Sequence, residues 1–187
     1  MTTFPVLLDT NCLFGAYLCD VLLTLAEAGI YRPLWSAGIL DELQRNLVRK
    51  GLEAAKADHR IASMRTAFPD AEVRGYERHI GSMTCDPKDR HVLAAAVVGA
   101  AQVLVTQNLN DFPAESCEPY DIVVVSPDDF LLDQLDLYPG VVMGALRARV
   151  ADYANPPMEV EELLGRLAAS GATRFAAEAA RHLQSTD

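Results

Sequence analysis

Residues 4–9, FPVLLD, form an unbroken apolar run that ends in an acid, which predicts a short buried strand. Thr10 and Asn11 follow as candidate helix caps. Leu13, Phe14, Tyr17, Leu18, Val21, Leu22 and Leu25 then recur at helical spacing until Gly29 stops the run. The pattern is a strand–turn–helix unit with Asp9 at its hinge. YRPLW, residues 31–35, predicts a second, weaker strand. Ser36 caps a helix with Ile39, Leu40, Leu43 and Leu47 on its apolar face and Glu42 one to two turns in. Residues 52–66 predict a charged amphipathic helix. Periodicity is poor over residues 67–80, where a turn, a short strand and a short helix are expected.

Further along, CDPKDRHVLAAA opens a helix over Pro87–Val98, and AQVLVTQN (101–108) and DIVVVS (121–126) predict two more strands. Ser126-Pro127-Asp128-Asp129 starts another helix, and Tyr138-Pro139-Gly140 marks a break. Three helices are expected beyond it, at 141–153, 157–169 and 172–184, punctuated by Asn155-Pro156-Pro157 and Gly171. Strands alternating with helices imply an α/β fold on a parallel sheet covered on both faces, with functional groups beyond the carboxyl ends of the strands. The predicted division is a domain over 1–137 and a helical C-terminal extension over 138–187, packed on the sheet or against another chain.

Composition narrows the class. In 187 residues no apolar run approaches bilayer length, and the start, MTTFPVLLDTN, lacks the basic region of a secretory leader, so a cytoplasmic protein without membrane association is expected. Cys12, Cys19, Cys85 and Cys117 show no metal-ligand spacing and are expected as buried thiols; the four histidines are equally dispersed. The net charge of −10 speaks against a general nucleic-acid binder. Nearly all of it, −9, falls in residues 1–137. Such a concentration serves solubility or gathers carboxylates around divalent cations.

The second possibility demands acids at strand ends. Asp9 ends the first strand, Glu42 lies in the helix after the second, Asp86 and Asp89 open a helix, and Asn108 and Asp111 follow VLVT. Helix capping explains the Asp86/Asp89 pair without any function: Asp86 as cap, Pro87 at the first helical position and Asp89 reaching back. As a set, however, the acids converge on one sheet edge, where they repel unless protonated or neutralised by a cation. Oxygen donors without His or Cys select Mg²⁺ or Mn²⁺, which lower the pKa of a bound water and stabilise charge on a phosphoryl oxygen. A cation would also reconcile an acidic protein with a polyanionic substrate.

Asp9-Thr10-Asn11, SAGILDEL with Glu42, DPKDRHVLAAA and VTQNLNDF, taken in order over residues 4–135, resemble the PIN-domain ribonucleases, particularly the VapC-like toxins of toxin–antitoxin pairs. The resemblance implies a three-layer α/β PIN-like fold and hydrolysis of RNA with Mg²⁺ or Mn²⁺ held by Asp9, Glu42 and Asp89. Asp111 or Asn108 completes the site, with Asp111 expected to supply the charge and Asn108 to orient. Asp86 is a cap, a neighbouring acid, or both. Asn11 either caps a helix or holds the Asp9 carboxylate, and Thr106 either only builds its strand or touches a metal water or a phosphate. The implied partners are RNA, a second copy forming a homodimer, and an antitoxin whose tail covers the acidic pocket.

Six cations between Arg45 and Arg65 face two acids; Arg45, Arg49 and Lys50, nearest Glu42, are candidate RNA contacts, and a solvated ion-paired face is the alternative. Trp35 is expected to pack, and Asp128 and Asp129 to be first-turn helix acids outside the site. An aspartyl-phosphate phosphatase would need an acid where Asn11 stands, and a receiver domain a lysine after a late strand. A non-catalytic PIN-like module that binds RNA or protein is the remaining alternative.

Overall fold

A computed structural model describes residues 3–153 and 156–184. Met1 and Thr2, at the head of the segment read against a leader, and Asn155 of the Asn-Pro-Pro break lie outside the described residues. The chain packs as two compact units, residues 1–14 with 31–125, and residues 15–30 with 126–187. These are units of packing. The division at 137/138 is one of sequence, and it stays a proposal.

The first unit holds a five-stranded, all-parallel sheet of β1 (Phe4–Leu8), β2 (Tyr31–Ser36), β3 (Glu72–Val73), β4 (Val103–Val105) and β5 (Val123–Val125), in the order β3-β2-β1-β4-β5. Central β1 runs beside both β2 and β4, with Leu7 opposite Leu34 and Leu104. Val6, Leu7 and Leu8 are fully buried, as a strand covered on both faces requires. The chain reverses its direction of winding between β1 and β4, so the crevice beyond their carboxyl ends is the switch point where such sheets bind ligands.

Helices α1 (Thr10–Phe14), α3 (Ala37–Arg49), α4 (Ala54–Ala67), α5 (Arg90–Val98) and α6 (Ala114–Cys117) belong to this unit, and α3 and α5 pack on the sheet. The Ser36 hydroxyl accepts from the Ile39 N–H and caps α3 as its sequence predicts. Because α5 leads into β4, it starts at the carboxyl edge of the sheet, and this delivers Asp89 to the same edge as Asp9.

The second unit consists of α2 (Ala16–Glu27), α7 (Pro127–Leu137), α8 (Pro139–Ala151), α9 (Val160–Ala169) and α10 (Thr173–Gln184). The Tyr153 hydroxyl donates to Asp20 at 2.7 Å and ties the chain after α8 to α2, and α10 packs along α7 and α9.

Three boundaries depart from the sequence expectation for identifiable reasons. The helix expected after the caps Thr10 and Asn11 and up to Gly29 is two helices, the first of which already includes Thr10 and Asn11. Arg60 of α4 donates to the Leu13 and Phe14 carbonyls at 2.7 and 3.3 Å, taking the acceptors a continuing helix would use, and Gly15 is extended. The helix expected over Pro87–Val98 starts at Arg90, because the capping box does not form. The strands expected over 101–108 and 121–126 shorten to three residues each, with short helical turns at Leu109–Asp111 and Glu118–Tyr120 and the four-residue α6 between them. All four cysteines are buried thiols. Among the described residues no helix is long and apolar enough to cross a membrane.

Candidate active site

At the switch point, Asp9 follows β1 and Thr106 follows β4. The Asp9 N–H continues the ladder by donating to the Val105 carbonyl at 3.0 Å. Asp9 is only 4% exposed, and its carboxylate accepts three bonds of 2.7 Å, from the Thr10 N–H, the Asn11 side-chain amide and the Thr106 hydroxyl. Burial pushes the Asp9 carboxyl above the usual range against the pull of the Thr106 and Thr10 hydrogen bonds, and the Glu42 charge adds to the rise.

Asn11 holds Asp9 in place. Its amide donates to both Asp9 and Thr106, and its carbonyl accepts from the Gln107 N–H at 3.0 Å, bracing the loop after β4. The Thr106 hydroxyl donates once, to Asp9, and accepts twice, from Asn11 and from the Asn108 N–H. Thr106 is fully buried, and these three bonds use the hydrogen-bonding capacity of its hydroxyl.

Glu42 stands on the second turn of α3, where Thr10 Oγ1 donates to its Oε2 at 3.3 Å and His91 Nε2 lies 3.7 Å from the same oxygen. Asp86 makes a turn of its own, its Oδ1 accepting from the Lys88 N–H at 3.0 Å with the Lys88 ammonium 3.7 Å away. Asp89 occupies the N-cap position of α5, but its side chain caps nothing. Its Oδ2 is buried without a hydrogen-bond partner, and burial, with the charges of Asp9 and Asp111, pushes its carboxyl up to about 6. The Asp86 N–H donates to the Asp111 carbonyl, joining this turn to the Leu109–Asp111 helix. Asn108, exposed, caps that short helix through its backbone.

The four acids thus form a chain of electrostatic neighbours, Glu42 to Asp9, Asp9 to Asp89, Asp89 to Asp111. Among the described residues, no three His, Cys, Asp or Glu side chains are gathered as a metal-holding group. In donor type, charge and the stranded Asp89 oxygen, the residues nonetheless fit a hard divalent cation.

The basic stretch divides. Arg60 caps α1, Arg65 pairs with Glu72 at 2.6 Å and Lys56 with Glu53 at 3.4 Å, which is the ion-paired alternative. Arg49 donates to Asn46 on the Glu42 side of α3, and Lys50 ends that helix exposed. Arg45 lines an open cleft of about 520 Å³ between α3 and α4 with Asp41, Gln44, Asp58 and Arg65. Sequence reasoning missed His91, and it read Thr10 only as a cap. The one local signal was the position of His91, two residues after Asp89 in a helix whose next five residues are all buried.

Residues 5–110 match the family model described as the PIN domain. This chain belongs to the PIN-domain family. Its sheet is the core of a PIN-domain fold, and a second family model, described as the VapC50 C-terminal domain, matches residues 127–181. The PIN-domain chain is similar to a Mycobacterium tuberculosis protein named "Putative ribonuclease VapC50", 46% identical over 107 residues that cover 57% of this chain and 63% of that relative. No solved structure matches it.

Proposed function

We propose that the protein is a divalent-metal-dependent endoribonuclease of the VapC type, the toxin of a toxin–antitoxin pair, acting in the cytoplasm. The observation that carries the reading is Asp89, a carboxylate half withdrawn from water between Asp9 and Asp111 with one oxygen unpartnered. A fold does not keep such a group for stability, and a cation removes its cost. The PIN-domain match and the name of the mycobacterial relative support the same activity.

In this reading Asp9, Glu42, Asp89 and Asp111 hold Mg²⁺ or Mn²⁺, which when bound activates a water and stabilises the charge that develops on the phosphate. The other residues prepare the place. Asn11 and Thr106 fix the Asp9 carboxylate so that little reorganisation remains when RNA arrives. Asn108 and Asp86 shape the rim, and Arg45, Arg49 and Lys50 hold the RNA backbone on the α3 side. The nuclease occupies 1–137 and the helices of 138–187 are an appendage. A homodimer and an antitoxin that covers the acidic pocket complete the proposed assembly.

The test is cleavage of a mixed RNA pool by wild type and Asp89→Asn with Mg²⁺, Mn²⁺ or chelator. Metal-dependent cutting lost in the variant is expected. Equal cutting by both would refute the assignment of Asp89. The competing reading, a non-catalytic RNA- or protein-binding module, draws on the absence of a gathered metal group among the described residues. It predicts RNA binding that chelator leaves unchanged and no cutting at all.

A further inference from the structure

We infer that His91 is a positioning residue for Glu42, and that the missing side chain at Gly38 leaves its ring the room this needs. The inference rests on the reading of Glu42 as a cation-holding carboxylate. Glu42 is partly exposed, with a side-chain accessibility of 38%, and a glutamate on an open helix face has rotamers to lose when it binds. Two groups meet it, Thr10 Oγ1 at 3.3 Å and His91 Nε2 at 3.7 Å, and both address Oε2. That leaves Oε1 as the oxygen available to a cation.

The other side of the imidazole explains the arrangement. With Nε2 facing a carboxylate, the neutral ring carries its proton there, and Nδ1 is an acceptor. Nδ1 is buried and has no hydrogen-bond partner. A buried orphan acceptor costs about 1–3 kcal/mol, so the ring is not kept there for what Nδ1 contributes.

What Nδ1 borders is the gap at Gly38, where a Cβ would stand 3.3 Å from it and 2.9 Å from the Tyr76 hydroxyl. That hydroxyl in turn accepts from the Gly38 N–H at 3.2 Å. Any side chain at position 38 would displace the tyrosine oxygen and press on the imidazole. The first turn of α3, fixed by Ser36 and Tyr76, therefore sets the distance between α3 and α5 at which His91 meets Glu42. Groups that orient a metal-binding carboxylate in this way are worth about 10–100-fold in metal affinity when removed.

The test is Mn²⁺ binding to the full chain, by calorimetry without RNA, for wild type, Glu42→Gln, His91→Leu, His91→Gln and the Glu42→Gln/His91→Leu double variant. His91→Leu is expected to weaken binding about tenfold. His91→Gln, whose amide can donate from near the Nε2 position, is expected to recover most of the loss. In the Glu42→Gln background His91→Leu should add nothing, because the two act as one unit. If Glu42→Gln binds Mn²⁺ as wild type does, the reading of Glu42 fails and the inference falls with it. If Glu42→Gln weakens binding while His91→Leu does not, or if the two losses are additive, the inference alone is overturned. Should His91→Leu fail to fold, Gly38→Ala takes its place. It displaces the ring without removing it, is expected to weaken Mn²⁺ binding in the same direction, and overturns the inference if its affinity is that of wild type.

Discussion

Two helix starts in this chain are spelled almost alike, Asp86-Pro87-Lys88-Asp89 and Ser126-Pro127-Asp128-Asp129, and the fold treats their acids in opposite ways. In the second, the helix begins at Pro127 and the Ser126 hydroxyl accepts from the Asp129 N–H. Asp128, 8% exposed, accepts from the Phe175 N–H at 2.8 Å and from the Arg174 side chain at 3.0 Å, so it caps α10 from the start of α7. Asp129 is held below the usual carboxylate range by the Ser126 hydroxyl and by Arg174, which pairs with it. In the first, the helix begins after Asp89, whose carboxylate caps nothing, keeps a buried oxygen without a donor and is pushed up to about 6. One pair of acids holds two helices together. In the other, Asp86 finds Lys88 while Asp89 is set against its neighbours at a cost, and the cost is what a cation would relieve.

The comparison can be broken by exchanging what each pair lacks. The largest effect is expected from Asp9→Asn or Asp89→Asn on RNA cleavage, a fall of about a thousandfold in rate, since several kcal/mol of charge stabilisation depend on the intact set. Gel-resolved cleavage in Mn²⁺ checks it, and a rate within a few-fold of wild type would remove the residue from the site. Asp128→Ala should do the reverse. We expect it to destabilise the fold by about 1–3 kcal/mol, by leaving the Arg174 and Phe175 N–H groups without their acceptor, with cleavage per folded molecule unchanged. Denaturant melts paired with activity measure both.

Protonation sharpens the contrast. Because the Asp89 carboxyl is raised in the folded state, the metal-free protein binds this proton more tightly than the unfolded chain does. The stability it contributes is fully present below pH 4 and lost as pH rises through about 6. Discounted for the partial exposure of the group, the loss is about 1–2 kcal/mol, and Asp89→Asn should flatten that limb of the stability profile. The smallest effect is expected at Asp86→Asn, a change of a few-fold in activity, because an asparagine carbonyl can still accept from the Lys88 N–H. Complete loss there would make Asp86 a ligand.

The strands were legible because short apolar, β-branched runs leave few alternatives, and the acids near the sheet's edge were legible because a parallel sheet sends its strand ends to one side. What sequence could not give was set by partners far along the chain. Arg60 ends α1 after Phe14 from a separation of 46 residues, and Thr10 reaches Glu42 across 32. Asp89 and Asp129 stand at the same place in their motifs, three residues after Asp86 and Ser126, yet Asp129 meets the Ser126 hydroxyl and Arg174 where Asp89 Oδ2 meets no donor. The basic run between Arg45 and Arg65 reads as one patch, yet Arg60 turns inward and Arg65 and Lys56 find acids.

The most direct test of the central claim is the melting temperature of wild type and Asp89→Asn at pH 8, with and without Mn²⁺. Without metal Asp89→Asn is expected to melt above wild type; Mn²⁺ is expected to raise wild type by several degrees and Asp89→Asn by little. A wild type indifferent to Mn²⁺, with Asp89→Asn melting below it, would show that the carboxylate supports the fold and would contradict a cation-dependent site at the end of this sheet.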